Sequence, residues 1–431
     1  MGLLMSVIFF VISLLSLKIN HGKITHTFVF SMLWAVIMLL ESAHFFGLYE
    51  SKMRTYSVIA IGVLSFAIGS LTFRRVVFRS YSLKDRNTYF INTKWLFFFL
   101  AFTVLLLLYP AILNLMNLHS GATNLIEIRA SFSNIYSNTA LSLLYNYIAL
   151  PFSVGCLPIV AVMSFSNYRK RTRTIMMLMV LIVIVERILI DAGRGILLYF
   201  FVMFFFAYKL QLSSDMTERK KKSVRRTLFF VLILVVAVYL MISIRRGGAS
   251  FSALKQIYIY LCGCVPFLDA SLEDVSQHQY LYSAGGLHGL YQFVFTMLEN
   301  LRLLDYPEFM QQADLLYNNT LQQRMIGSSL YFNAYATAFY SVYSDGGCLA
   351  VFIEMFLYGA LSRSAYNKMR IEPNNSRIKA IYIFLLYGIT FSFIRYQFAL
   401  SRNIIAFVFI IFIIRNRVNP DEDITSQHSI S

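Results

Sequence analysis

Several short runs place guanidinium groups beside glycine or carboxylate, the residue types that anion chemistry needs. In Glu186-Arg187 followed by Asp191 and Arg194, a continuous helix would put Arg187, Asp191 and Arg194 on one face at i, i+4 and i+7. The carboxylate would then bridge two guanidinium groups. Gly193 and Gly195 instead predict a tight turn after Asp191 that presents Arg194 to solvent, with Asp191 and Glu186 in support. Arg245-Arg246-Gly247-Gly248 sets two forked guanidinium groups beside flexible backbone, which suits bidentate binding of phosphate oxygens. Arg395 and Arg402 bracket residues 391–403, where Tyr396 and Gln397 are side chains fit for a sugar. Each pattern also has a plainer reading: an ion pair that eases burial of Arg187, arginines that snorkel to lipid headgroups, or an aromatic belt at a membrane surface.

Proton transfer needs a group that titrates near neutrality or a well-placed carboxylate. His288, in Gly285-Gly286-Leu287-His288-Gly289, is the first candidate base, and Asp345, in Ser344-Asp345-Gly346-Gly347, is the second. A structural histidine and a helix-capping aspartate are the plainer alternatives. Glu354 follows in the same apolar run, and the sequence names no partner for it. Cys156, Cys262, Cys264 and Cys348 show neither paired CxxC spacing nor a nearby histidine set, so no metal, cofactor or disulfide framework is expected.

These residues sit among long apolar runs. Of 431 residues 58% are hydrophobic and only 14% charged, a balance that a soluble domain with polar faces does not reach. The net charge of +17 comes from clusters between the runs, which act as topology signals, so nucleic acid is not an expected partner. Apolar stretches long enough for about 30 Å of hydrocarbon fall near 1–17, 27–48, 56–73, 95–118, 140–166, 174–190, 195–212, 227–244, 347–362, 378–394 and 401–414. The expected fold is therefore all-α: a polytopic transmembrane helical bundle of about 11 spans. Residues 1–17 lack a basic lead and are followed by Lys18 and Lys23, so they read as a first span and not as a cleaved signal.

Basic residues resist translocation and orient the bundle. Segments 74–94, 168–173, 209–226 and 363–379 are strongly basic and belong on the cytoplasmic side. The organisation is then spans 1–8 over 1–244, a long extracytoplasmic segment over 245–346, spans 9–11 over 347–414 and a cytoplasmic polar tail over 415–431. The long segment holds Arg245, Arg246, Lys255, Arg302 and Arg324 against eight acids, and its semi-apolar stretches 257–261 and 290–298 predict short interfacial helices. Residues 329–343 read as a re-entrant or interfacial helix, because a full span there would move the basic 363–379 loop outside. Arg194, Arg245, Arg246, Arg395 and Arg402 all fall on the outer side, against the positive-inside tendency.

The stretch Thr337-Ala338-Phe339-Tyr340-Ser341-Val342-Tyr343-Ser344-Asp345-Gly346-Gly347, followed by Phe352, Glu354 and Gly359, resembles the bacterial O-antigen and capsule repeat-unit polymerases of the Wzy type. The turn Asp191-Ala192-Gly193-Arg194-Gly195 and the order of spans resemble that family too. The resemblance implies a glycosyltransferase of the bacterial cytoplasmic (inner) membrane, active on the outside. Its substrates would be undecaprenyl-diphosphate-linked oligosaccharides, and its partners membrane lipids and a chain-length regulator and flippase of the same pathway. Arg194, Arg245, Arg246, Arg395 and Arg402 would contact the diphosphate, which can bring its own Mg²⁺. His288 or Asp345 would take the proton of the sugar hydroxyl. Competing readings are an O-antigen ligase with the same donor, a flippase or transporter for lipid-linked oligosaccharide, and a structural partner in envelope assembly. A transporter predicts ionisable residues at the bilayer midplane and inverted repeats, neither of which the sequence displays.

Overall fold

A computed structural model of the chain describes residues 1–73, 88–120, 136, 139–166, 168–191, 193, 195–211, 253–333 and 335–417. Most of them are helical. Helices α1 (Gly2–Ile19), α2 (His26–Glu41), α3 (Met53–Thr72), α4 (Thr93–His119) and α5 (Ala140–Phe165) are followed by α6 (Lys170–Asp191) and α7 (Gly195–Gln211). Short helices α8 (Ala253–Cys262), α9 (Cys264–Ser276), α10 (His288–Asn300) and α11 (Glu308–Asn319) come next, and α12 (Thr337–Ile371), α13 (Ser376–Thr390) and α14 (Ser401–Ile413) close the bundle. Among the described residues five helices, α1, α3, α4, α5 and α12, are long and apolar enough to cross a membrane, and α2, α7 and α14 are shorter apolar helices. The expected span 227–244, the basic loop 74–87 and the tail 418–431 lie outside the described residues.

Local chemistry explains where these helices begin and how they tolerate their breakers. Asn92 caps α4, its side chain accepting from Lys94 N and Trp95 N, each at 3.2 Å. Asn375 caps α13 in the same way through Ile378 N at 3.1 Å. Pro110 inside α4 and Pro158 inside α5 remove one backbone donor each, which helices in apolar surroundings accommodate by local adjustment. Residues 145–149 of α5 widen into a π turn.

The core runs through the bundle from Phe9 and Trp34 to Phe339 and Phe384. Its tightest crossing is α3 on α12. A Cβ at Gly69 would lie 2.0 Å from Phe356 O, and one at Gly359 would lie 2.1 Å from Phe66 O. Small residues let two backbones approach this closely where lipid supplies no hydrophobic drive between helices. α12 is bent at Gly346 and Gly347, the latter with φ +65°, so its first turns lie at a different angle from the rest.

Two features depart from an all-α reading. β1 (Thr88–Ile91) pairs antiparallel with β4 (Ile414–Arg417), where Arg377 stacks 4.6 Å over Tyr89 and donates to Ile414 O at 2.8 Å. β2 (Arg324–Gly327) pairs with β3 (Leu330–Phe332), so of the helix expected over 329–343, residues 330–332 are strand and 337–343 are helical. Leu330 and Phe332 are buried while Tyr331 between them is exposed, the period of a strand with one buried face. Helix resumes at Thr337, ten residues before the expected boundary at 347, because the Gly346–Gly347 bend redirects the helix without ending it.

Candidate functional site

The site forms where α10, α11, the first turns of α12 and the turn before α14 meet. Asp345 holds the loop that leads into α10. Its Oδ1 accepts from Gly285 N and its Oδ2 from Gly286 N, both at 2.7 Å, while Leu281 N donates to Ser344 O at 3.0 Å. The two glycines are required by contact: a Cβ at Gly285 would lie 2.1 Å from Ser344 Oγ, and one at Gly286 would lie 2.1 Å from Glu354 Oε2. Glu354, which the sequence left without a partner, hydrogen-bonds Asp345. Asp345 therefore bridges backbone and side chain: each carboxylate oxygen accepts one glycine amide, and the group is mostly buried beside Glu354.

This loop sets His288 as the first residue of α10, with Gly289 pressed against Leu400 and Ser401. His288 is 2% exposed. Its Nε2 lies 2.8 Å from Asp314 Oδ1, its Nδ1 lies 3.3 Å from Ala399 O, and its ring stacks on Tyr317 at 5.1 Å and 10°. An ionised carboxylate only accepts, so Nε2 is the donor to Asp314, and Nδ1 is the nitrogen left for proton exchange. Tyr306 donates its hydroxyl to Asp314 Oδ2 at 2.7 Å. Burial and that bond push the Tyr306 phenol above the usual tyrosine range, so it stays a donor.

Arg395 reaches the same place from the turn before α14. Its guanidinium lies 4.4 Å over the Tyr317 ring and donates to Thr320 Oγ1 at 3.1 Å. That turn is tied to the start of α12 by Thr337 N to Ile394 O at 3.2 Å and Ala338 N to Ser392 O at 2.6 Å. A small cavity of about 20 Å³ opens between His288, Tyr317, Arg395, Tyr340 and Ser344, room for one or two waters. Arg402 is half-buried outside the cavity lining, with Tyr199 and Tyr387 as its stronger electrostatic neighbours and Tyr317 and Asp191 as weaker ones.

The remaining expected residues divide clearly. Arg187 pairs with Asp191 through Nε at 3.0 Å and donates from Nη1 to Ser153 Oγ at 2.8 Å, as the i, i+4 spacing requires. α6 ends at Asp191 and α7 begins at Gly195, so the chain breaks at the glycines. Glu186 is 4% exposed, and neither of its carboxylate oxygens has a hydrogen-bond partner among the described residues. Arg194, Arg245 and Arg246 lie outside the described residues. Tyr396 and Gln397 are buried, at 5% and 3% exposed, and Gln397 is wedged against Gly388 and accepts from the Tyr358 hydroxyl at 3.3 Å.

His288, Arg395 and the loop held by Asp345 therefore converge on one cavity. Tyr317 and Thr320 line it as well, with Asp314 and Tyr306 bonded in series behind His288, and sequence reasoning passed over all four. Their only signal was the alternation of polar and apolar residues along 308–320, which marks a half-buried helix without saying what it covers. Among the described residues no cluster of three or more His, Cys, Asp or Glu is arranged to hold a metal ion. The chain matches no protein-family model, no curated protein and no solved structure.

Proposed function

We propose that the chain is an oligosaccharide repeat-unit polymerase of the Wzy type, with about eleven spans in the bacterial cytoplasmic membrane and this site on the outer face. In the proposed reaction an acceptor sugar hydroxyl attacks the anomeric carbon of a glycan carried on undecaprenyl diphosphate. A new C–O bond forms, the bond to the diphosphate oxygen breaks, and the diphosphate leaves with the electron pair. Arg395, stacked on Tyr317 and fixed by Thr320, and the nearby Arg402 would stabilise the charge that develops on the departing group. The hydroxyl proton would pass to His288 Nδ1, the ring nitrogen held by the longer and weaker contact.

The observation that carries this reading is the meeting of a permanently charged guanidinium and an oriented imidazole at one end of a bundle of apolar helices. Arg395 and His288 are more than a hundred residues apart in sequence, and one cavity joins them. The test is the length distribution of surface glycan in a strain lacking the chain, complemented with wild type, Arg395→Ala or Arg395→Lys at matched membrane abundance. The expected result is single repeat units in the null strain, a restored ladder with wild type, and none with Arg395→Ala. A null strain that still builds long chains, retained on their lipid carrier, would replace polymerase with ligase.

A further inference from the structure

α11 presents Asp314 and Tyr317 at i and i+3, Thr320 follows at its C-cap, and each of the three touches a different part of the site. Asp314 bonds His288, Tyr317 lies against both the His288 ring and the Arg395 guanidinium, and Thr320 accepts from Arg395. The helix is seated by its own small core, Met310, Ala313 and Leu316 against Leu281 and Ala284, separate from the core of the bundle. We propose that Asp314 is a positioning residue that acts through His288, with α11 as the element that holds the imidazole and the guanidinium in one geometry. The proposal rests on the reading of His288 as the group that takes the acceptor proton.

Three contacts fix the imidazole in rotation: the Asp314 bond, the Ala399 carbonyl and the Tyr317 stack. The Asp314 carboxylate and the Ala399 carbonyl both only accept, so a neutral ring donates to one of them; the shorter contact places the N–H on Nε2 and leaves the Nδ1 lone pair as the proton acceptor. When Nδ1 has gained a proton, Ala399 O accepts from it, while Asp314 continues to accept from Nε2. Both N–H groups of the charged ring then have oxygen partners. The Tyr306 hydroxyl completes the chain by occupying Asp314 Oδ2, which leaves Oδ1 for the histidine.

The experiment measures repeat units added per unit time by pulse-labelling glycan in the null strain, complemented with Asp314→Asn, Asp314→Ala, Asp314→Glu, His288→Gln and Asp314→Ala/His288→Gln at matched membrane abundance. The expected result is a loss of roughly tenfold or more for Asp314→Ala, bounded above by the roughly 10²–10⁴-fold scale of the base itself. Asp314→Glu recovers part of that loss. In the His288→Gln background Asp314→Ala costs nothing further, because the two groups act as one unit. Asp314→Asn keeps the shape of the site, and it is expected to lower turnover at saturating donor while leaving the half-saturating donor concentration unchanged. Losses that multiply in the double variant would overturn the proposal. Wild-type rates for Asp314→Ala beside an impaired His288→Gln would also overturn it while leaving the polymerase reading intact. A normal ladder in the null strain would instead remove the polymerase reading itself.

Discussion

Replacing Gly69 with alanine tests how the bundle holds the wall of its site. The new Cβ would stand 2.0 Å from Phe356 O, where real Cβ contacts begin near 3.0 Å, so α3 and α12 must part by about 1 Å, the difference of the two values. Overpacking of this kind costs about 1–3 kcal/mol. A 1 Å gap also forfeits roughly a quarter to a half of each dispersion contact along the crossing. Alanine returns about 0.5–1 kcal/mol as a better helix former. The net loss is about 2 kcal/mol, at the upper end of the overpacking range less that return. The assay is the fraction of monodisperse protein left after heating in detergent, with Gly195→Ala as control, since its Cβ would meet Tyr199 Oη at an ordinary 3.4 Å. Gly69→Ala should lower the midpoint and Gly195→Ala should not. In Gly69→Ala/Gly359→Ala the loss should fall short of the sum, because the helices need part only once. An unchanged midpoint for Gly69→Ala would refute the argument that this crossing depends on backbone contact.

Asp345→Ala strands the amides of Gly285 and Gly286 and should lower stability by roughly 2–4 kcal/mol, the loss of two hydrogen bonds to a buried carboxylate, read as a lower midpoint in the same assay. Glu273→Gln breaks a salt bridge with Lys52 in which both side chains are more than half exposed, so thermal unfolding should stay unchanged within measurement error. The phenol of Tyr306 is raised above the usual range, so the folded state keeps this proton where the unfolded chain has lost it. Its contribution is complete below pH of about 10 and is lost as the pH rises further. Tyr306→Phe removes that term, and the difference in midpoint between wild type and Tyr306→Phe should therefore narrow on going from pH 8 to pH 11.

Periodicity and charge made the helices legible, because a run of apolar residues fixes a helix from within its own length. The Arg187–Asp191 pair was legible for the same reason, being one helical turn apart. What escaped was set by chain segments far apart in sequence. β1 and β4 are short, and their register is decided by pairing between residues 88–91 and 414–417, which no local window contains. The role of Asp345 escaped because its partners are backbone amides, and an amide donor carries no residue identity. Asp314 lies on a different helix from His288, beyond a turn that no motif marks, so the bond between them follows from the packing of α11 alone. Tyr396 and Gln397 looked like surface residues in a turn, yet Gly388 leaves a space into which Gln397 fits.

The long segment after α7 is not a self-sufficient domain, and that bears on how the site is held. Among its described residues five form a small core of their own, far below what a chain of that length needs to fold alone, while Tyr258, Phe267, Leu268, Ile326 and Phe332 are buried in the core of the bundle. It is fastened to the turn between α2 and α3 by Tyr49 N to Ile326 O at 2.9 Å and Ser328 N to Gly47 O at 3.0 Å, and to the start of α3 by Asp269, which accepts from Lys52 N at 3.1 Å and from Thr55 Oγ1 at 2.5 Å. The cavity lies in the seam between this small core and the bundle. Leu281, Ala313 and Leu316 come from one side, and Tyr340, Ser344 and Arg395 come from the other. A change in either core therefore reaches the site only through the residues that cross the seam. Those include Asp345 to the glycine loop, Leu281 N to Ser344 O, His288 to Ala399 O, Tyr317 and Thr320 to Arg395, and the Tyr340 hydroxyl to Leu316 O at 3.2 Å. Geometry at the site is set by these crossings, and Asp345 contributes through the two glycine amides that lead into α10.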